Sequence, residues 1–160
     1  MINVQVDFRP ALPSDEPFLF ELYASTRQEE IAAWGWEDAQ RQAFLSMQFN
    51  ARQRQYSATA MNASHQIILC AGQPVGHIWI DHRPAEIVLV DIALLPDQRG
   101  VGIGTALIQR LQAEAAQAGK PIRLHVLNTN RASRLYSRLG FQVSREDEIY
   151  AEMVWKPAIP

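Results

Sequence analysis

The sequence predicts a single α/β domain on a central mixed, twisted sheet of about seven strands, antiparallel then parallel, flanked by about four helices. Three observations predict it. Between residues 67 and 95, three apolar runs are separated by the short turns Gly72-Gln73-Pro74 and His82-Arg83-Pro84-Ala85, the pattern of an antiparallel meander. Residues 86–127 then read strand, glycine turn, helix, strand, which without a tight turn is a parallel crossover. Finally, 160 residues that are 48% hydrophobic and 20% charged fit one globular domain with a sizeable core and no disordered half.

Each element has its own signal. Val4, Val6 and Phe8 alternate with Gln5 and Asp7, so a short strand ends near Pro10. Ser14 is placed to cap a helix whose first turn holds Asp15, Glu16 and Pro17, with Phe18, Leu19, Leu22 and Tyr23 on one face. That pattern weakens at Ser25-Thr26-Arg27, and Gly35 marks a loop. A second helix spans about residues 37–56, with Phe44, Leu45 and Phe49 in its middle. Its Arg41, Arg52 and Arg54 read as a solvated face, a basic groove being the alternative. The meander follows. Ile103, Leu107, Ile108, Leu111 and Ala115 then keep helical spacing up to Gly119. Ile122 to Leu127 alternates as a strand, Arg131 to Leu139 is a short helix, and 141–144 with 149–155 form a hairpin around Glu146-Asp147-Glu148.

Bulk properties exclude several classes. A net charge of −2 favours neither nucleic acid nor an anionic membrane surface as partner. The N-terminus lacks a basic region and a long apolar core, and no apolar run is long enough for a membrane span, so the expected location is cytoplasmic. The single cysteine, Cys70, forms no internal disulfide and reads as a buried, inert thiol. His65, His77, His82 and His125 lack metal-ligand spacing, so no metal is assigned.

The chemistry concentrates at Arg99-Gly100-Val101-Gly102-Ile103-Gly104, where a buried strand empties into a helix N-terminus. Such a turn offers backbone N–H groups and the positive end of a helix dipole to an anion. Glycines at every second position fit neither a dinucleotide fingerprint nor a P-loop, whose lysine is also missing before Thr105.

RGVGIGTALI after a strand ending in Leu-Leu-Pro resembles the acyl-CoA motif of the GCN5-related N-acetyltransferases (GNAT), an Arg/Gln-x-x-Gly-x-Gly/Ala signature matched by Arg99, Gly102 and Gly104. A second block, NRASRLYSRLGF at residues 130–141, is similar to the family's Asn-x-Ala-x-x-Leu-Tyr-x-x-x-Gly-Phe segment. The resemblance implies a GNAT-like fold and an acetyl-CoA-dependent N-acetyltransferase, without metal or covalent intermediate. It places the pyrophosphate of coenzyme A on residues 99–105, namely Arg99, Gly100, Val101, Gly102, Ile103, Gly104 and Thr105. The pantetheine arm would lie along Ile92, Ala93 and Leu94 in a slot opened by a splayed sheet, with Asn130 beside it. Tyr136 matches the tyrosine that protonates the leaving thiolate, an ordinary packing role being its other reading. Arg99 either adds charge to the turn or braces it. Two further readings stay open: a non-catalytic CoA-binding or regulatory domain, and an acyltransferase using a longer acyl-CoA.

A lysine-like amine acceptor must lose a proton at neutral pH, since its reference pKa is ~10.4. Asp91 interrupts the apolar strand VLVDIALL and is the candidate base; strand alternation puts it on the face of Leu89 and Ala93. Alternatives are a structural ion pair to Arg123 or to His125, or a base role for Glu86, Glu30 or an ordered water. The resemblance implies that the acceptor, a small-molecule or peptide amine, enters between residues 27–36 and 146–150, where Glu30 and Trp36 would contact it. The acidic lips there favour a basic acceptor. Core or dimer surface is the other reading of the tryptophans, and a homodimer is left open.

Overall fold

The computed structural model describes residues 5–59 and 63–158; Val4 of the expected first strand lies outside the described residues. The order is β1 (Asp7–Pro10), α1 (Glu16–Ala32), α2 (Asp38–Thr59), β2 (Ala63–Cys70), β3 (Gln73–His82), β4 (Ile87–Leu94), α3 (Ile103–Ala118), β5 (Ile122–Leu127), α4 (Ala132–Arg138), β6 (Gln142–Glu146) and β7 (Tyr150–Trp155). Among the described residues no helix is long and apolar enough to cross a membrane.

The seven strands form one sheet in the order β1-β2-β3-β4-β5-β7-β6. The expected meander is present, β1 to β4 pairing antiparallel in sequence. Parallel pairing is confined to β4 and β5, because the C-terminal hairpin lays β7 antiparallel beside β5 and leaves β6 at the edge. Even that parallel pair is short. Ile87, Val88 and Leu89 face Ile122, Arg123 and Leu124, and no further register pair joins the two strands.

One face of the sheet carries the larger core, in which Ile103, Leu107, Ile108 and Leu111 of α3 pack on Ile68, Ile78, Leu89 and Leu124. The other carries a smaller core, where Leu19, Tyr23, Leu45 and Phe49 of α1 and α2 cover Ile67. Two local expectations need correction. Ser14 does not cap α1; it lies in a 3-10 turn, Pro13–Asp15, and the Asp15 carboxylate instead accepts from the Leu12 N–H at 2.8 Å and from Arg9. The helix also does not weaken at Ser25-Thr26, because both hydroxyls donate back to carbonyls one turn earlier, those of Leu22 and Tyr23, at 2.6 and 2.7 Å.

Gly76 holds the two central strands at close quarters. A Cβ there would stand 2.2 Å from the Ala93 carbonyl oxygen of β4. The two backbones must move apart to admit any side chain, so Gly76→Ala is expected to destabilise by about 1–3 kcal/mol, read as a lower urea midpoint at unchanged slope. An unchanged midpoint would show that β4 is not pinned there.

Candidate active site

The site begins where β4 and β5 part. Between Trp79 and Ile80 of β3 the register shifts, so that Trp79 pairs with Asp91 while Ile80 pairs with Leu89, leaving Val90 as an extra residue. A bulge of this kind turns the strand and reverses which face the following side chains take. Strict alternation therefore fails here. Leu89 points into the α3 core, whereas Asp91 faces α2 on the opposite side and shares that face with Ala93 only. Beyond the bulge β4 and β5 enclose a slot of about 50 Å³, lined among others by Val90, Asp91, Ile92, His125, Asn130 and Tyr136.

At the end of β4 the chain enters the glycine turn. Gly100 and Gly102 have φ of 75° and 93°, a region that glycine occupies without strain. The Arg99 N–H reaches the Pro96 carbonyl and the Ala106 N–H reaches Gly102, but no N–H from Gly100 to Thr105 donates to a backbone carbonyl among the described residues. A continuous run of free donors at a helix N-terminus is an anion cradle. The Ile103 side chain is buried in the α3 core, so only its backbone is available to a ligand, while Val101 is exposed. Gly104 serves packing as well, since a Cβ there would lie 3.4 Å from Leu135 of α4. The Arg99 side chain turns back. Its Nε donates to the Leu94 carbonyl at 3.0 Å and a terminal nitrogen approaches Ser25 of α1 at 3.4 Å, so in this structure it braces the turn.

Tyr136 is buried, with its ring against Phe141 and its side chain on the slot. Burial, and then the negative charge of Asp91, push its pKa up, keeping the hydroxyl protonated. Asn130 also lines the slot, and its Oδ1 accepts from the Ala132 N–H at 2.9 Å at the start of α4.

Asp91 is engaged on both oxygens, and by neither partner expected for it. Oδ1 pairs with Arg52 at 2.8 Å and Oδ2 with the His77 Nε2 at 2.7 Å. Burial alone would raise its pKa; the His77 hydrogen bond and the positive charge of Arg52 outweigh it and hold the carboxyl at about 2. A carboxylate so strongly paired is a poor proton acceptor. Arg123 pairs instead with Glu86 and Glu152, which also occupies Glu86. Arg52 is not solvated as its helix pattern suggested: α2 turns it inward over the rings of Tyr23 and Tyr56, with Nε donating to the Tyr56 hydroxyl at 2.7 Å. His77 continues the network to His65 at 2.8 Å, and His65 stacks on Trp79 with centroids 4.1 Å apart. Because a carboxylate only accepts, His77 donates from Nε2 to Asp91.

A family model described as an acetyltransferase (GNAT) domain matches residues 62–143, just over half of the chain. The chain belongs to the GNAT family. Solved structures share its architecture at low identity. The PaiA N-acetyltransferase of Thermoplasma acidophilum, solved in complex with coenzyme A, is 16% identical with a TM-score of 0.70, covering 95% of this chain and 99% of its own. An acetyltransferase of Thermus thermophilus is 17% identical at a TM-score of 0.69, covering 96% and 97%. The ribosomal-protein-S18-alanine N-acetyltransferase of Escherichia coli is 17% identical at 0.64, covering 98% and 96%. At these identities the likeness is one of fold.

Within this GNAT chain the two acceptor candidates stand apart from the slot. Glu30 is ion-paired to Arg27 at 3.0 Å, and Trp36 forms an exposed aromatic cluster with Trp34 and Phe44. Neither lines the β4–β5 cavity. A wider cleft of about 520 Å³ lies between α1 and α2, lined by Phe20, Glu21, Ser25, Ile31, Asp38 and Leu45 among others. The residues that sequence reasoning missed are Arg52, Tyr56, His65, His77 and Trp79. Their signals were an arginine and a tyrosine four apart on α2, a histidine on β2, and polar or aromatic side chains at alternate positions of β3.

Burial, followed by the nearby His77, holds the His65 imidazole down at about 4. The unfolded chain, with His65 near its reference value of 6.5, therefore binds more protons than the folded one across that interval. Stability is complete above that window and falls as pH drops from about 6.5 toward about 4, with Asp91 adding to the loss at still lower pH. Thermal melts in this range should show the decline, and His65→Gln should flatten its slope; an equally steep slope in the variant would contradict the assignment.

Proposed function

We propose that this chain is an N-acetyltransferase moving the acetyl group of acetyl-CoA directly to a primary amine, carried by a small molecule or by a peptide. The observation that carries the reading is the order of features along one strand: β4 borders a cavity lined by a protonated tyrosine, and its open end leads directly into a run of N–H groups without backbone acceptors among the described residues. Bound acetyl-CoA would supply a thioester carbonyl and a thiolate leaving group. The N–H groups of residues 100–105 receive its pyrophosphate, and the small or exposed side chains there leave the approach clear. Ile92, Ala93 and Leu94 form the edge that β5 has left open, along which the arm lies in the manner of an added strand, although Ala93 turns its carbonyl toward β3 and the Leu94 carbonyl is held by Arg99. Asn130 borders the same arm.

Tyr136 donates its proton toward the sulfur, a role its burial and raised pKa support. Asp91 lines the slot, but its ion pairs make it the anchor of Arg52 and His77 in the resting protein rather than a free base. Proton removal from the acceptor then falls to water at the slot mouth.

Release of free thiol from acetyl-CoA in the presence of an amine panel tests the reading. Thiol release that depends on an amine, with a matching mass gain of one acetyl group, is the expected result. Binding of CoA without release on any amine would instead indicate a non-catalytic domain. Tyr136→Phe should lower kcat by about a hundredfold, in the range of a lost general acid, with CoA affinity close to that of the parent protein. Gly102→Ala, which forces a side chain into a positive-φ position, should chiefly raise KM for acetyl-CoA.

A further inference from the structure

Beside the slot, on the face covered by α1 and α2, the polar groups of this chain do not balance. The carboxylate there, Asp91, already accepts from Arg52 and His77. What remains is donors. The Arg52 guanidinium uses Nε on Tyr56 and one terminal nitrogen on Asp91, and its side chain keeps 32% of its surface accessible. A guanidinium carries five N–H groups in a rigid fork, so an edge stays available after those two bonds. The Tyr56 hydroxyl oxygen accepts from Arg52, while its own hydrogen finds no acceptor among the described residues. Burial and the charge of Asp91 push the Tyr56 pKa up to about 12, which preserves that hydrogen at neutral pH. Trp79, 7% exposed and edge-on to Tyr56, has an indole Nε1 with no partner among the described residues. Tyr150, half exposed at the start of β7, borders the same group.

A cluster of buried or half-buried donors that outnumbers the bonds made to it is unfavourable unless a ligand brings oxygens to it. An ammonium, which only donates, leaves those donors unmatched. Two of the acids expected to attract a basic acceptor are also engaged: Glu30 by Arg27, and Asp147 by the Ile149 and Tyr150 N–H groups. We propose that the acceptor is an amine that also carries a carboxylate, of the amino-acid class, and that the open edge of Arg52 and the Tyr56 hydroxyl receive that carboxylate while the amine faces the slot. The arginine fork then bridges two carboxylates, Asp91 from the protein and one from the acceptor. This makes Arg52 and Tyr56 specificity-determining residues, and it rests on the reading of the β4–β5 slot as the acetyl-transfer site.

Matched triplets test it: α-amino acids with aromatic, aliphatic and charged side chains, their primary amides, and the amines left when the carboxyl group is removed. Thiol release is measured with acetyl-CoA, and binding of the corresponding N-acetyl compounds to the CoA-loaded protein is measured by calorimetry. The acids should be favoured over both counterparts by about ten- to a hundredfold in kcat/KM, the range of a hydrogen bond to a charged group. Tyr56→Phe, which keeps the ring against Trp79, and Arg52→Lys, which keeps the charge beside Asp91, should each shrink that ratio. If no amine releases thiol but the N-acetyl acids still bind selectively, the carboxylate site stands and the acetyl-transfer reading fails. Amides as good as acids would assign the donors to a neutral carbonyl and overturn the proposal. So would equal handling of all three forms, a ratio unmoved in both variants, or failure of every acid to bind.

Discussion

The separation of β4 from β5 is the constraint on which the rest of the site depends. Three residues of each strand pair, and then the extra residue at Val90 turns β4 away from its neighbour. Had the parallel ladder continued, the backbone groups of Ile92 to Leu94 on that side would be spent on β5, and Tyr136 would face a closed sheet. Because the ladder stops, the same strand is held on one side by β3 and is open on the other. Gly76 strengthens the held side by letting the Ala93 carbonyl approach more closely than any side chain would allow. The rigid half of β4 therefore presents the open half.

The bulge has a second effect, on charge. By reversing the face of Asp91 it removes a carboxylate from the α3 core, where it would stand unpaired, and delivers it to Arg52 and His77. The ion pair links α2 to the sheet, and the aromatic rings of Tyr23 and Tyr56 sandwich the guanidinium from the helix side. A buried pair of this kind contributes little net stability, but breaking it by removing one partner leaves an uncompensated charge. The arrangement thus fixes the position of Arg52 next to the slot, where its remaining donors are of use.

Much of the architecture was legible in the residues. The meander, the crossover helix ending at Gly119 and the hairpin around Asp147 all followed from turn residues and apolar periodicity, because those signals are local. The glycine turn was legible for the same reason: an anion cradle is made by consecutive backbone groups. What escaped were the features produced by pairing. Strict alternation placed Asp91 with Leu89, since nothing in VLVDIALL marks the register slip that depends on β3 opposite. Arg52 sits among Gln53, Arg54 and Gln55 on a largely polar helix, so its inward turn is set by the tertiary partner Asp91 rather than by its own neighbours. Nothing in the acid-rich segments marks that Glu30 pairs with Arg27 or that Asp147 accepts from the Ile149 and Tyr150 N–H groups, since those contacts form only once the helix and the hairpin turn close.

The open side of β4 and the glycine turn together are held to form one binding surface for coenzyme A. Amide chemical shifts followed during titration of the protein with coenzyme A test this most directly. The N–H signals of Ile92 to Leu94 and of Gly100 to Thr105 should move together with a single dissociation constant. Saturable binding that leaves those signals in place, or shifts the turn without the strand, would contradict it.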